Sequence, residues 1–179
     1  MAEPEEILTF WFEELEEDQW FKRDEKVDAE IRRRFGGLHE RVAAEFPEDW
    51  LASRDGLLAG IILLDQFSRN LHRDDPRAYA NDTAALNLAH LAIERGWDTD
   101  YPPAQRAFLY MPFMHTEDLR AQERGVELFT ALGLEEYTKF AKLHRDVIAR
   151  FGRFPARNAA LERETTAAEQ EYLDEGGGF

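Results

Sequence analysis

A chain of 179 residues, 44% hydrophobic and 12% aromatic, holds ample material for a packed core, which excludes global disorder. Its formal charge of −15 excludes a general nucleic-acid surface, because phosphate backbones demand an excess of cations on the binding face. The absence of cysteine removes disulfides, thiolate metal ligands and cysteine nucleophiles, and agrees with a reducing cytoplasm.

The N-terminus is acidic at Glu3, Glu5 and Glu6 and lacks the basic and apolar regions of a signal peptide. The longest apolar run, Leu57 to Leu64, is far too short to cross a bilayer. A cytoplasmic protein with neither membrane nor nucleic-acid partners is expected. The 18 arginines against four lysines fit a salt-adapted or GC-rich source.

In chain order the pattern is helical nearly throughout. Pro4 suits a first helical turn, and Ile7, Leu8, Trp11, Phe12 and Leu15 follow at helical spacing. A second helix is expected from about Asp24 through Phe35, with Gly36-Gly37 kinking or breaking it before Leu38 to Phe46. Ser53 is placed to cap a helix reaching Leu71. Asp75-Pro76 marks the next start, and a helix bent near Asn81-Asp82 ends at about Gly96. Pro102-Pro103 open another helix, and two more are expected over 118–132 and 135–151, separated by Gly133. A weak helix near 166–173 precedes Gly176-Gly177-Gly178-Phe179. No strand alternation and no clean internal repeat is seen, so the fold class is all-α, with short loops favouring antiparallel helical hairpins. Residues 1–175 read as one domain and 176–179 as a flexible tail.

Three constellations carry chemistry. In the first, Leu58, Ile61, Ile62, Asp65, Arg69 and His72 share a face at 100° per residue. Asp65 precedes Arg69 at the favourable i,i+4 spacing, in a helix apolar on its other faces too. Buried charges of this kind must be paired. They read either as an internal ion pair braced by Gln66 and Asn70, or as the wall of a polar pocket made by all four. In the second, Pro112 bends or ends its helix and delivers His115, Glu117 and Asp118 to a terminus, where Thr116 is placed to cap the next helix.

The third constellation is electrostatic. Residues 139–157 hold six Lys/Arg (Lys139, Lys142, Arg145, Arg150, Arg153, Arg157) against Asp146, which is +5 in a chain whose remainder sums to −20. Such an island is where an anionic ligand would be held. Tyr137, Phe140, Ala141, His144, Ile148 and Phe151 form an apolar stripe that turns His144 toward the core. After Gly152, the loop with Arg153, Phe154, Pro155, Arg157 and Asn158 suits carboxylate or phosphate recognition, or neutralises the protein's own acids. A metal site could be drawn from His115, Glu117, Asp118, His144 and Asp146, but none has a recognised ligand spacing, so no metal and no cofactor is expected.

Taken together, Ile61 to Asn70, Tyr110 to Asp118 and His144 to Asn158 resemble the bacterial family called domain of unknown function 924, in order and over almost the whole chain. The resemblance implies an all-helical, tetratricopeptide-like right-handed array. Relatives usually carry proline where this chain has Ser68, which should straighten the helix end, and histidine where it has Ala156. The second departure removes an imidazole from the arginine loop.

These readings converge on a leading expectation. The protein binds a small anion or a peptide carboxylate through Asp65, Gln66, Arg69, Asn70, His115, His144, Arg145, Arg150, Arg153, Arg157 and Asn158. The alternative is a metal-independent enzyme using His115 or His144 as acid or base, oriented by Asp65 or Asp146, on a small carboxylate or phosphate. Self-association is left open, and Phe179 on its triglycine tether is a candidate to dock into the arginine region.

Overall fold

The computed structural model describes residues 4–178, and among these no strand is present. The chain packs as two compact units. One comprises residues up to Arg73 together with Arg77–Pro112, and the other comprises Asp74–Pro76 and the residues from Phe113 onward.

In the first unit, α1 (Pro4–Thr9) continues as a π turn over Phe10–Glu14, turning Ile7, Phe10 and Trp11 inward. Asp24 caps α2 (Glu25–Ala44) by accepting the Lys26 N–H at 2.8 Å. The expected break at Gly36-Gly37 does not occur. Ile31, Phe35, Leu38 and Val42 hold one buried stripe across the glycines, and that packing outweighs a helix-propensity loss of roughly 1 kcal/mol per glycine. The short α3 (Glu48–Leu51) leads to α4 (Arg54–Ile61), where the Ser53 hydroxyl accepts the Gly56 N–H at 2.9 Å as its cap.

Helix α4 passes into a second π segment, Ile62–Phe67, and then into α5 (Ser68–Leu71). Every residue from Gly56 to Ser68 is buried, because α1, α3 and α6 (Asp82–Glu94) all pack on this stretch. A helix apolar on all sides is placed at the centre for that reason. The bend foreseen near Asn81-Asp82 is a separate 3-10 turn, Pro76–Ala78, followed by a fresh start at Asp82. Gly96, at φ +69, closes the segment after α6. A lattice of rings fills the remaining core. Trp11 meets Phe67 at 5.6 Å and Phe108 at 5.7 Å, and Phe10 meets Phe35 at 5.2 Å. All four tryptophans of the chain fall in this unit.

Helix α7 (Pro103–His115) accommodates Pro112 three residues before its end and contributes Phe113 to His115 to the second unit. The second unit is built on a helical hairpin, α8 (Leu119–Leu132) and α9 (Glu135–Phe151), joined through Gly133 at φ +78 and Leu134. A link this short between packed helices makes them antiparallel. On α9 the buried stripe is Ala141, His144, Val147 and Ile148. Phe140, expected on that stripe, is 45% exposed, and Val147 takes the inward place instead. The chain then turns through Pro155–Arg157 to α10 (Ala167–Asp174), opened by a reciprocal cap between Thr166 and Glu169. Gly176, at φ +86, and Gly177 cap α10, the latter donating to the Tyr172 carbonyl at 2.9 Å. Among the described residues no helix is long and apolar enough to cross a membrane.

Candidate functional site

Of the residues singled out in the first unit, Asp65, Gln66 and Arg69 form a polar cluster at the second π segment. A π turn adds a residue to the helical period, so positions past Ile62 no longer follow a 100° wheel. Asp65 is fully buried. Its carboxylate accepts Arg69 at 3.2 Å and the Gln66 amide at 2.6 Å, and Arg69 also grips Asp82 with both terminal nitrogens at 2.9 and 3.1 Å. Burial alone would weaken the Arg69 charge, but Asp65 and Asp82 outweigh it and hold the guanidinium protonated, raising its pKa. Asn70 donates to Asp28 at 2.8 Å, and Arg73 grips the same carboxylate with two nitrogens. The i,i+4 pair read from the sequence is therefore present, and Gln66 extends it. Asn70 belongs to a neighbouring cluster around Asp28.

Ser68 lies next to this cluster. Its hydroxyl donates to the Leu64 carbonyl at 2.6 Å and accepts from His39 Nε2 at 2.7 Å and Asn81 at 3.3 Å. The His39 ring lies 5.6 Å from that of His72. Burial first, and then the proximity of His72, pull the His39 pKa down to about 4 against a small opposing pull from Glu40.

In the second unit three segments converge: the end of α7, the middle of α9 and the loop from Arg153 to Glu169. The His115 and His144 rings are 6.3 Å apart, and the His144 ring meets the edge of Phe154 at 5.6 Å. His144 Nδ1 is 2.8 Å from the Phe140 carbonyl, so that nitrogen carries a proton and Nε2 is the basic one. Arg157, only 6% exposed, donates to the His115 carbonyl at 2.8 Å and lies 4.4 Å over the Phe154 ring.

Two ion pairs brace this corner. Glu117 accepts both terminal nitrogens of Arg163, at 2.8 and 3.0 Å, and the Phe154 N–H at 2.8 Å. Desolvation works against the charge of Glu117, but these donors prevail and lower its pKa. Glu169, 3% exposed, takes Arg153 through both oxygens at 2.7 and 2.9 Å and the Thr166 N–H at 2.8 Å. Led by Arg153 and the Thr166 N–H, these bring the Glu169 pKa down to about 2. Asn158 joins the same network, donating to Glu169 and Thr165 and accepting from Arg163.

The cationic island is thus divided by the fold. Arg157 is held by the His115 main-chain carbonyl and the Phe154 ring, while Arg153 is committed to Glu169. Arg145 pairs with its neighbour Asp146 at 2.6 Å, and Arg150 lies over Phe151 on the exposed side of α9. Asp146 shares that exposed side, and His144 takes its orientation from a main-chain carbonyl. The expected cap at Thr116 is also corrected. Asp118 caps α8 through the Ala121 N–H at 2.8 Å, and Thr116 Oγ1 accepts the Asp118 N–H. Glu117 and Arg163 were outside the expected ligand set. Nothing in the local spacing links residues 46 apart, although an acid at 117 that the adjacent cap leaves unused is the one available signal. Ala156, exposed, contributes no polar group. Phe179, the proposed docking ring of the tail, lies outside the described residues. Among the described residues no group of three or more His, Asp or Glu could hold a metal ion.

Comparison with known proteins adds family and fold. The profile of a bacterial protein family of unknown function, DUF924, matches residues 7–177. The solved structure of a protein of unknown function from Agrobacterium tumefaciens is similar, with 41% identity, 97% of each chain covered and a TM-score of 0.91. No curated protein sequence matches the chain.

Proposed function

The chain belongs to the DUF924 family of bacterial proteins of unknown function, and we infer that its second unit is a binding module for a small anion or a peptide carboxylate. Arg157 carries this reading, since its guanidinium, on the 155–157 turn, donates to the main chain of His115 and lies over the Phe154 ring that His144 also meets, with the two imidazoles 6.3 Å apart. Arg157 is held in advance by a carbonyl and an aromatic face, which lowers the ordering cost of gripping a ligand oxygen. Arg153 and Arg163 brace the corner through Glu169 and Glu117. The helices are read as a tetratricopeptide-like right-handed array in the cytoplasm. What supports the array is the α8–α9 hairpin, close in length to a helical repeat of about 34 residues.

Acetate, inorganic phosphate and short peptides with a free C-terminus should be titrated while the ring protons of His115 and His144 are followed by NMR. Saturable shifts at both rings are expected from at least one probe. R157K should weaken its binding about tenfold, since lysine lacks the planar fork. No saturable shift from any probe at about 10 mM, weaker than any useful affinity, overturns the reading.

The second reading, an enzyme acting on a small carboxylate or phosphate, is favoured by the fixed tautomer of His144, which points a basic nitrogen away from its helix. It requires that H144Q abolish turnover while binding persists.

A further inference from the structure

Helix α9 has an outer face that the fold of the chain leaves to solvent. Phe140 is 45% and Leu143 42% exposed, two of the four large apolar side chains most open to water among the described residues. Glu136, Leu143 and Arg150 lie seven residues apart and form one stripe along this face, drifting by only about 20° per step. Phe140 flanks the stripe on one side, and Lys139 and Asp146 flank it on the other.

The order of charges along the stripe is the informative part. An acid stands about 10 Å on the N-terminal side of Leu143 and a base about 10 Å on its C-terminal side, at 1.5 Å per residue. Such a sequence is complementary to itself when reversed. We propose that the outer face of α9 is an isologous interface on which a second copy of this chain docks, with the two α9 helices antiparallel about a two-fold axis at Leu143. Leu143 then meets its counterpart, and Glu136 of each copy faces Arg150 of the other. On one flank Lys139 comes level with Asp146 of the other copy, and on the opposite flank the two Phe140 rings close the contact. Each ionic pairing occurs twice by symmetry.

Net charge agrees with this choice of face. Two chains of −15 repel over most of their surfaces, whereas α9 carries four Lys/Arg against three Asp/Glu. The competing intramolecular contacts are weak. Asp146 pairs with Arg145 in water, and Arg150 rests on Phe151. A single helix stripe buries less than the roughly 800 Å² per partner of a standard interface, so the dimer is in rapid, concentration-dependent exchange with monomer.

Sedimentation equilibrium of the full chain tests this, with far-UV circular dichroism checking that each variant is folded. The native protein should show a monomer–dimer equilibrium, and L143E should abolish it. E136R and R150E each set like charges face to face twice and should weaken dimerisation at least tenfold. The combined E136R/R150E protein exchanges both charges and should return to within about threefold of native affinity, because the pairing is symmetric. A native protein that stays monomeric at about 1 mM overturns the proposal. So does an L143E protein that still dimerises, or a double variant no better than its parents. Dimerisation that survives L143E would point to another face, and a double variant that is not rescued to another register.

Discussion

Glu117 shows how one carboxylate can hold a segment far away in sequence. It receives Arg163 and the Phe154 main chain together, fastening the loop after α9 to the start of α8. E117A and R163A are each expected to cost about 2 kcal/mol, the range for hydrogen bonds to charged groups. The double variant should lose distinctly less than the sum, measured as a cycle by urea unfolding. His39 gives a prediction of opposite character. With a folded-state pKa near 4 against an ordinary 6.5, the unfolded chain takes up the proton first. The stability tied to neutral His39 is therefore complete above pH 6.5 and is lost as the pH falls toward 4, by about 3 kcal/mol at most. Unfolding followed between pH 7 and pH 4 should show this slope, and H39Q should flatten it. Glu169 acts in a lower window, its contribution falling away between its ordinary pKa of 4.5 and about 2. Neither residue was singled out by local pattern. His39 lies on an ordinary helical stripe, and its partner Ser68 is 29 positions away.

At the scale of elements the sequence was most readable where caps and periodicity agree. Ser53 caps α4, Gly133 divides α8 from α9, and Thr166 opens α10 close to where composition alone would put them. Legibility failed where tertiary packing overrides local preference. Gly36-Gly37 looks like a break, yet α2 continues because its buried stripe spans both residues. The π segment at Ile62–Phe67 has no compositional signature, so helical-wheel reasoning could pair Asp65 with Arg69 but not bring in Asp82. Gly56 was likewise unreadable as a constraint. A Cβ there would lie 2.4 Å from the Trp50 carbonyl oxygen, a backbone atom that cannot swing aside. G56A should therefore destabilise the first unit by about 1–3 kcal/mol despite its better helix propensity, as overpacking does. A midpoint in urea equal to or above that of the native protein would contradict this account.

For the whole molecule, the charge island over 139–157 is divided between two faces of the second unit. Composition gives the sum of charges over 139–157 but not their directions. Folding sends Arg157 to the His115 main chain and the Phe154 ring, Arg153 to an internal acid, and Lys139 and Arg150 to the solvent side of α9. One segment thus supplies both an inward corner and an outward face, and the inward and outward variants, R157K and L143E, should leave each other's readout unchanged. The placement of the tryptophans has a further, practical meaning. Since all four lie in the first unit, and Tyr137 and Tyr172 are the tyrosines of the second, indole emission is a spectroscopic reporter of one unit alone. Backbone ellipticity, by contrast, sums both. Coincident melting curves from the two signals would mark a single cooperative transition, and separated curves would resolve two.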